Sequence, residues 1–325
     1  MSLLEVSRVS KQGESRPVLQ SISFTQRRFQ KIAIAGETGS GKSTLLKIIA
    51  GLAQPDDGEV TFGNEKVKGP AEKLVPGHPE IAYLSQHFEL PGALRVEQVL
   101  SYANVLSEEA ARDLYAVCQI DHLLQRRTDE LSGGERQRIA LTRLLISSPK
   151  LLLLDEPFSN LDRGHEHTLE SVIQTVGKKL KITLILVSHE PLEILSWADK
   201  ILVMRDGQIV QKGPPEKIYR QPVNQYVAGL FGKYNLLSAD QSTLFLRKGE
   251  ALINKKTMMV RPESFHFVAR GKGAPGKVVK SHFFGSYYEV EVLVKEVPIT
   301  IKSLKTFSKD DNVFVSLDKD RVWFI

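Results

Sequence analysis

The sequence predicts an α/β protein with a parallel, helix-covered sheet, a helical insert and antiparallel edge strands. A small all-β barrel follows it. Three observations carry this reading. Lys31-Ile32-Ala33-Ile34-Ala35 is an apolar run that leads into a glycine-rich stretch and then into helical spacing, the order strand, loop, helix. Leu151–Leu154 is four leucines ending in two carboxylates, Asp155 and Glu156, as central strands of open sheets end at their chemistry. From about Asn235 onward the pattern changes to short alternating strands separated by turns, the signature of a small antiparallel barrel.

The glycine stretch Gly36-Glu37-Thr38-Gly39-Ser40-Gly41-Lys42-Ser43-Thr44 satisfies G-x-x-x-x-G-K-[ST] at each specified position. Leu45, Leu46, Ile48 and Ile49 recur at helical spacing behind it, and Gly51 offers a stop. The glycines let backbone N–H groups close around phosphate oxygens at a helix N-terminus. Lys42 would reach the outer phosphates and Ser43 would offer its hydroxyl to Mg2+. The chain is thus expected to bind a nucleoside triphosphate on a phosphate-loop NTPase core.

In chain order, Leu3 to Phe24 reads as antiparallel strands flanking the phosphate-loop strand, around a loop at Gln12–Ser15. Pro55-Asp56-Asp57-Gly58 is a turn before the short strand Glu59–Phe62, and Ile81–Leu84 is a buried strand ending at Ser85-Gln86. Residues 92–130 become helical. Glu108 and Glu109 suit a first turn, and Ala110, Leu114, Val117 and Cys118 are expected to share a face. Ser132-Gly133-Gly134 opens the next helix, a second anion-binding end, so that the helical subdomain covers about 92–140.

Asp155 can hold the magnesium shell and Glu156 can polarise an attacking water. A second buried strand from Ile182 to Val187 ends in Ser188-His189-Glu190. A right-handed crossover places His189 on the same sheet edge as Glu156. His165 and His167 have no third ligand and are read as solvent-exposed. Leu202–Val210 is a hairpin with an Asp206-Gly207 turn, and Pro214-Pro215 starts a short helix.

Composition narrows the function classes. The 325 residues are 42% hydrophobic and 25% charged, ordinary for a globular protein. No apolar run approaches a membrane span, and residues 1–30 lack a signal-peptide pattern. Cys118 is the single cysteine, so no intrachain disulfide forms; a cytoplasmic address is expected. The net charge is +6. Residues 236–325 hold fifteen Lys and Arg against ten Asp and Glu, spread among the strands. That dispersion favours a solvated surface over a nucleic-acid site.

Taken together, these motifs resemble the ATP-binding subunits of ABC transporters over about residues 3–230. Gly36–Thr44 resembles Walker A, Gln86 the Q-loop, Leu131–Glu135 the signature, Leu151–Pro157 Walker B with its glutamate, Ser159–Asp162 the D-loop and His189 the switch histidine. Asn224–Gly229, Asn235 and Met259-Val260-Arg261-Pro262-Glu263 look like the tail of importer ATPases with a C-terminal TOBE domain, as in maltose-, polyamine-, ferric-iron- and molybdate-type systems. The resemblance implies an ATP-binding domain over 1–234 and an OB-like TOBE domain over 235–325. It implies a head-to-tail homodimer with ATP between Gly36–Thr44 of one chain and Ser132–Gly134 of the other, and Gln86 sensing Mg2+. Integral membrane permease subunits, an extracytoplasmic solute-binding protein and a place at the cytoplasmic face of the membrane follow from the same likeness.

Three features depart from the family. Ser10-Lys11-Gln12-Gly13 stands where relatives commonly stack an aromatic ring on adenine, so relaxed base selectivity is expected. The signature ends in Glu135 rather than glutamine, a first-turn position where little functional change is expected. The helical insert is compact. The leading reading is ATP-driven solute import. The alternatives are a soluble ABC ATPase acting on nucleic acid or ribosomes, and an exporter ATPase, which the C-terminal barrel disfavours.

Overall fold

The computed structural model describes residues 2–86, 90–159, 161–188, 190–246 and 257–325. The chain forms two compact units, Met1–Pro215 and Glu216–Ile325. The first runs β1 (Ser2–Gln12), β2 (Pro17–Arg27), β3 (Lys31–Ala35), α1 (Lys42–Ile49), β4 (Asp57–Phe62), β5 (Glu65–Lys66) and β6 (Ile81–Leu84). Then come α2 (Val96–Ser101), α3 (Glu108–Cys118), α4 (Gly133–Leu145), β7 (Leu151–Asp155), α5 (Arg163–Lys179), β8 (Thr183–Val187), α6 (Pro191–Trp197), β9 (Lys200–Arg205) and β10 (Gln208–Gly213).

The central sheet has the order β10-β9-β3-β8-β7-β6. It is parallel from β9 to β6, with β10 antiparallel at the edge. Leu151–Asp155 and Thr183–Val187 are buried along their whole length, as strands covered on both faces must be. The N-terminal strands do not flank β3, as the sequence suggested. They make a separate antiparallel sheet, β2-β1-β4-β5, while β3 lies between β8 and β9. The alternation of buried and exposed residues along β2 explains the difference: one face meets water, which suits an outer layer. Leu4, Val6, Ile22 and Phe24 from that layer share a core with Leu45 and Ile49 of α1 and with Ile32 and Ile34.

The insert is helical as expected, and α4 runs on to Leu145. The buried face of α3 is Ala111, Leu114 and Cys118, whereas Ala110 is exposed and Val117 only half-buried. Spacing of three and four residues from Ala111 gives the tighter stripe. Asp206 and Gly207 both have positive φ, the turn an Asp-Gly hairpin needs.

The second unit contains α7 (Pro215–Arg220), α8 (Gln225–Leu230), β11 (Asn235–Leu237), α9 (Ala239–Ser242), β12 (Met258–Val260), β13 (Phe265–Val268), β14 (Ala274–Phe283), β15 (Tyr288–Val294), β16 (Val297–Ser303), β17 (Asn312–Leu317) and β18 (Val322–Phe324). An antiparallel sheet of order β13-β17-β14-β15-β16 bends until β13 and β16 lie together, and β11-β12-β18 forms a second sheet. Val278, Val290, Val292, Ile299, Ile301 and Val315 fill the interior. The unit begins at Glu216 rather than at Asn235. Arg261, 3% exposed, accounts for this shift. Its guanidinium donates to the carbonyls of Tyr219, Ala228, Gly232 and Lys233, tying both short helices to the β region.

Candidate functional site

The site is built at the C-terminal edge of the central sheet. The run β3–loop–α1 delivers the phosphate loop there. Gly41 caps α1 with φ 96°, and a Cβ on it would lie 2.5 Å from the Val18 carbonyl. Both the backbone sign and the space therefore require glycine. Lys42 is buried inside the loop, its Nζ donating to the carbonyls of Gly36 and Glu37, each at 2.8 Å, and to Ser40 Oγ at 3.4 Å. Burial lowers its pKa, against the opposing charges of Glu156, Asp155 and Glu37. The three charges favour the ammonium form, and its hydrogen bonds tie the side chain to the loop.

Asp155 terminates β7 and is 3% exposed. Both of its oxygens are occupied: Ser43 Oγ donates to Oδ1 at 3.0 Å and Tyr83 Oη donates to Oδ2 at 2.8 Å. Tyr83 faces Leu153 in the β6–β7 register. Its hydroxyl is pushed up, first by burial and then by the Asp155 charge and hydrogen bond, so it stays a neutral donor. Glu156 follows with φ 49°, outside the sheet conformation, its N–H still held by the Val187 carbonyl at 3.0 Å. Gln86 Nε2 donates to Glu156 Oε2 at 3.2 Å. The sequence-read residues Lys42, Ser43, Gln86, Asp155 and Glu156 therefore form one connected group. His189, read as its neighbour, lies outside the described residues.

Among the described residues, Ser132, Gly133 and Gly134 are not hydrogen-bonded into that group. They make no hydrogen bond to Gly36–Thr44 either. Ser132 caps α4 in a closed box, its Oγ accepting from Glu135 N at 3.3 Å while Glu135 Oε2 accepts from Ser132 N at 2.8 Å. Burial raises the Glu135 pKa, but the Ser132 hydrogen bonds and the Arg126 charge outweigh it and hold the carboxyl below its ordinary value. Glu135 is thus a helix cap. Gln137 on α4 donates to the Pro157 carbonyl, joining this helix to the loop that carries Glu156.

His165 is not simply solvent-exposed, as the sequence reading had it. Its ring packs on Gly134, leaving no room for a Cβ there, and its Nδ1 lies 2.6 Å from Asp162 Oδ2. Asp162 also caps α5 through Gly164 N and His165 N. His167 is exposed, its side chain 80% accessible. Tyr83, Gln137 and His165 were missed. For Tyr83 a signal existed: a hydroxyl in the buried run Ile81–Leu84 needs a partner.

A profile of the family described as ABC transporter matches residues 19–159. The spermidine/putrescine import ATP-binding protein PotA of Spiroplasma citri is 31% identical over 341 residues, covering 97% of this chain and 95% of that protein. The Fe(3+) ions import ATP-binding protein FbpC of Pseudomonas fluorescens is 35% identical over 304 residues, covering 88% and 86%. Among solved structures, cbiO1 from Clostridium perfringens, part of the ABC transporter complex cbiONQ, superposes with a TM-score of 0.58 at 25% identity, over 67% of this chain and 90% of that one. A nucleotide-free ATP-binding cassette from an ABC transporter gives 0.60 at 25% identity, over 72% and 100%.

Proposed function

The chain belongs to the ABC transporter family as an import-type ATP-binding subunit, and from that premise we propose how its residues hydrolyse ATP to drive solute import. The observation that carries the proposal is the connected group at the sheet edge, where Ser43 bonds Asp155 and Gln86 bonds the adjacent Glu156. The backbone of Gly36–Thr44 cradles the phosphates. Lys42 exchanges its carbonyl partners for phosphate oxygens. Glu156 orients and polarises the attacking water, and His189 steadies the γ-phosphate side.

Ser43, Asp155 and Gln86 would hold Mg2+. The fit rests on hard oxygen donors: Ser43 Oγ and Asp155 Oδ1 are already 3.0 Å apart in a part-buried corner. Bound there, the ion would neutralise charge on the β- and γ-phosphates. Membership of the ABC transporter family supports a composite site, in which the α4 N-terminus of a second copy covers the γ-phosphate. The subunits are thus a head-to-tail homodimer with ATP between them.

No helix among the described residues is long and apolar enough to cross a membrane, so the membrane passage is assigned to integral permease subunits. An extracytoplasmic solute-binding protein delivers cargo, and this chain sits at the cytoplasmic face, with residues 235–325 forming a TOBE-type module. The relatives' names give spermidine and putrescine for some and Fe(3+) for others. Likeness in this subunit therefore does not track cargo, and the proposal stops at solute import.

The test is Glu156→Gln beside Lys42→Ala. Glu156→Gln keeps size and hydrogen bonding but loses the charge, so phosphate release falls at least about a hundredfold while ATP binding persists. Size-exclusion runs with ATP show it accumulating as a dimer. Lys42→Ala binds ATP weakly and stays monomeric. A Glu156→Gln protein that hydrolyses ATP normally places the base elsewhere, with His189 the first suspect.

A further inference from the structure

The loop between β1 and β2 stands against the phosphate loop and carries a cation that the motif does not include. This loop is pinned. Lys11 Nζ pairs with Asp56 Oδ1 at 2.6 Å, Gln12 N donates to Asp56 Oδ2 at 2.7 Å, and Gly13 N donates to the Arg16 carbonyl at 3.0 Å. Two residues on, the Val18 carbonyl reaches Gly41. From this turn the exposed Arg16 side chain extends to Gly39, where a Cβ would lie 3.9 Å from Nη2. Gly39 belongs to the turn closed by Ser40 N on the Glu37 carbonyl at 3.2 Å, part of the wall that wraps phosphate.

The other cations nearby are committed. Lys11 is neutralised by Asp56, and Lys42 is bonded inside the loop. Arg16 has no ion-pair partner among the described residues. A guanidinium is always charged and presents a planar fork that matches phosphate oxygens. Its place beside Gly39 sets it against the loop that would wrap the phosphates, and Ser10–Gly13 offers no ring for the base to stack on.

We infer that Arg16 is a second phosphate-binding cation, gripping the triphosphate from outside the loop while Lys42 grips it from within. The inference rests on nucleotide binding at Gly36–Thr44. Recognition then depends on the triphosphate more than on the base.

The experiment measures binding of ATP and GTP, and displacement of a fluorescent ATP analogue by inorganic tripolyphosphate. The full chain is compared as wild type, Arg16→Ala, Arg16→Lys and Lys42→Ala, with thermal melts confirming that each variant folds. Losing a charge-assisted contact, Arg16→Ala weakens all three ligands by a similar factor of about ten or more, and Arg16→Lys retains part of the affinity. Unchanged binding in Arg16→Ala overturns the inference. So does a loss confined to ATP and GTP, which would make Arg16 a base or ribose contact, and so does a wild type that tripolyphosphate fails to displace. Lys42→Ala separates the two levels: if it binds ATP like wild type, the underlying nucleotide site is wrong as well.

Discussion

Tyr83 matters because Asp155 is almost fully buried and both of its oxygens are already in use. Replacing Tyr83 with Phe keeps the ring in β6 but strips Oδ2 of its donor. A buried acceptor left without a partner costs about 1–3 kcal/mol. The Tyr83→Phe protein should therefore unfold at lower urea, and its hydrolysis should need more Mg2+, because the carboxylate no longer has a fixed orientation. A urea midpoint and Mg2+ dependence equal to wild type would show that the hydroxyl holds nothing. Lys42, Ser43, Asp155 and Glu156 were legible in the sequence because contiguous spacing dictates their placement at strand ends and a helix start. Tyr83 and His165 were not, since each acts on a partner that only the fold supplies: Asp155 for one, Gly134 for the other.

Between α5 and α6 a different problem arises, because Glu166 and Glu170 of one helix approach Glu193 of the other around a small cavity lined also by Phe158, Leu186 and Trp197. Burial first, then the Glu166 charge and hydrogen bond, then Glu190 and Glu170, raise Glu193 to a pKa of about 7 from an ordinary 4.5. The folded state thus binds a proton that the unfolded chain has already released. Stability from this group is fully present below the ordinary value and is lost as pH rises through the folded one. The prediction is a fall in the denaturation midpoint between pH 4.5 and 7, which Glu193→Gln flattens. A Glu193→Gln midpoint that tracks wild type across that window would remove the carboxyl pair as its source. Elements such as β3, β7 and β8 were readable because unbroken apolar runs have one solution in a covered sheet. The partnering of β1 and β2 was not: alternation specifies a half-exposed layer but not which strands it joins. The α3 face held at Leu114 and Cys118 but differed at Ala110 and Val117, because several apolar positions there fit a helical stripe.

At the scale of the whole chain, the switch to alternating strands was legible near Asn235, but the first unit stops at Pro215. The intervening residues look like a continuation of the first unit because they are helical. What binds them is Arg261, far along the sequence, together with Tyr219 Oη donating to Glu263 Oε1 at 2.7 Å and Trp323 Nε1 donating to the Pro222 carbonyl at 2.9 Å. Helices α7 and α8 have six residues each, well short of the roughly 12–15 needed to persist alone in water. Two truncations separate the assignments. A chain ending at Pro215 and one ending at Tyr234 should bind ATP alike, since the connected group at the sheet edge lies wholly before both cuts. They should differ under limited proteolysis. In the longer fragment, residues 216–234 have lost Arg261, Glu263 and Trp323, so they fray and are trimmed back toward Pro215. In the full chain the same segment resists cleavage. If the longer fragment keeps its tail protected, α7 and α8 are held by the first unit and the division belongs at Asn235 after all. If neither fragment binds ATP although both stay folded, the nucleotide site depends on the C-terminal unit and the two are not separable.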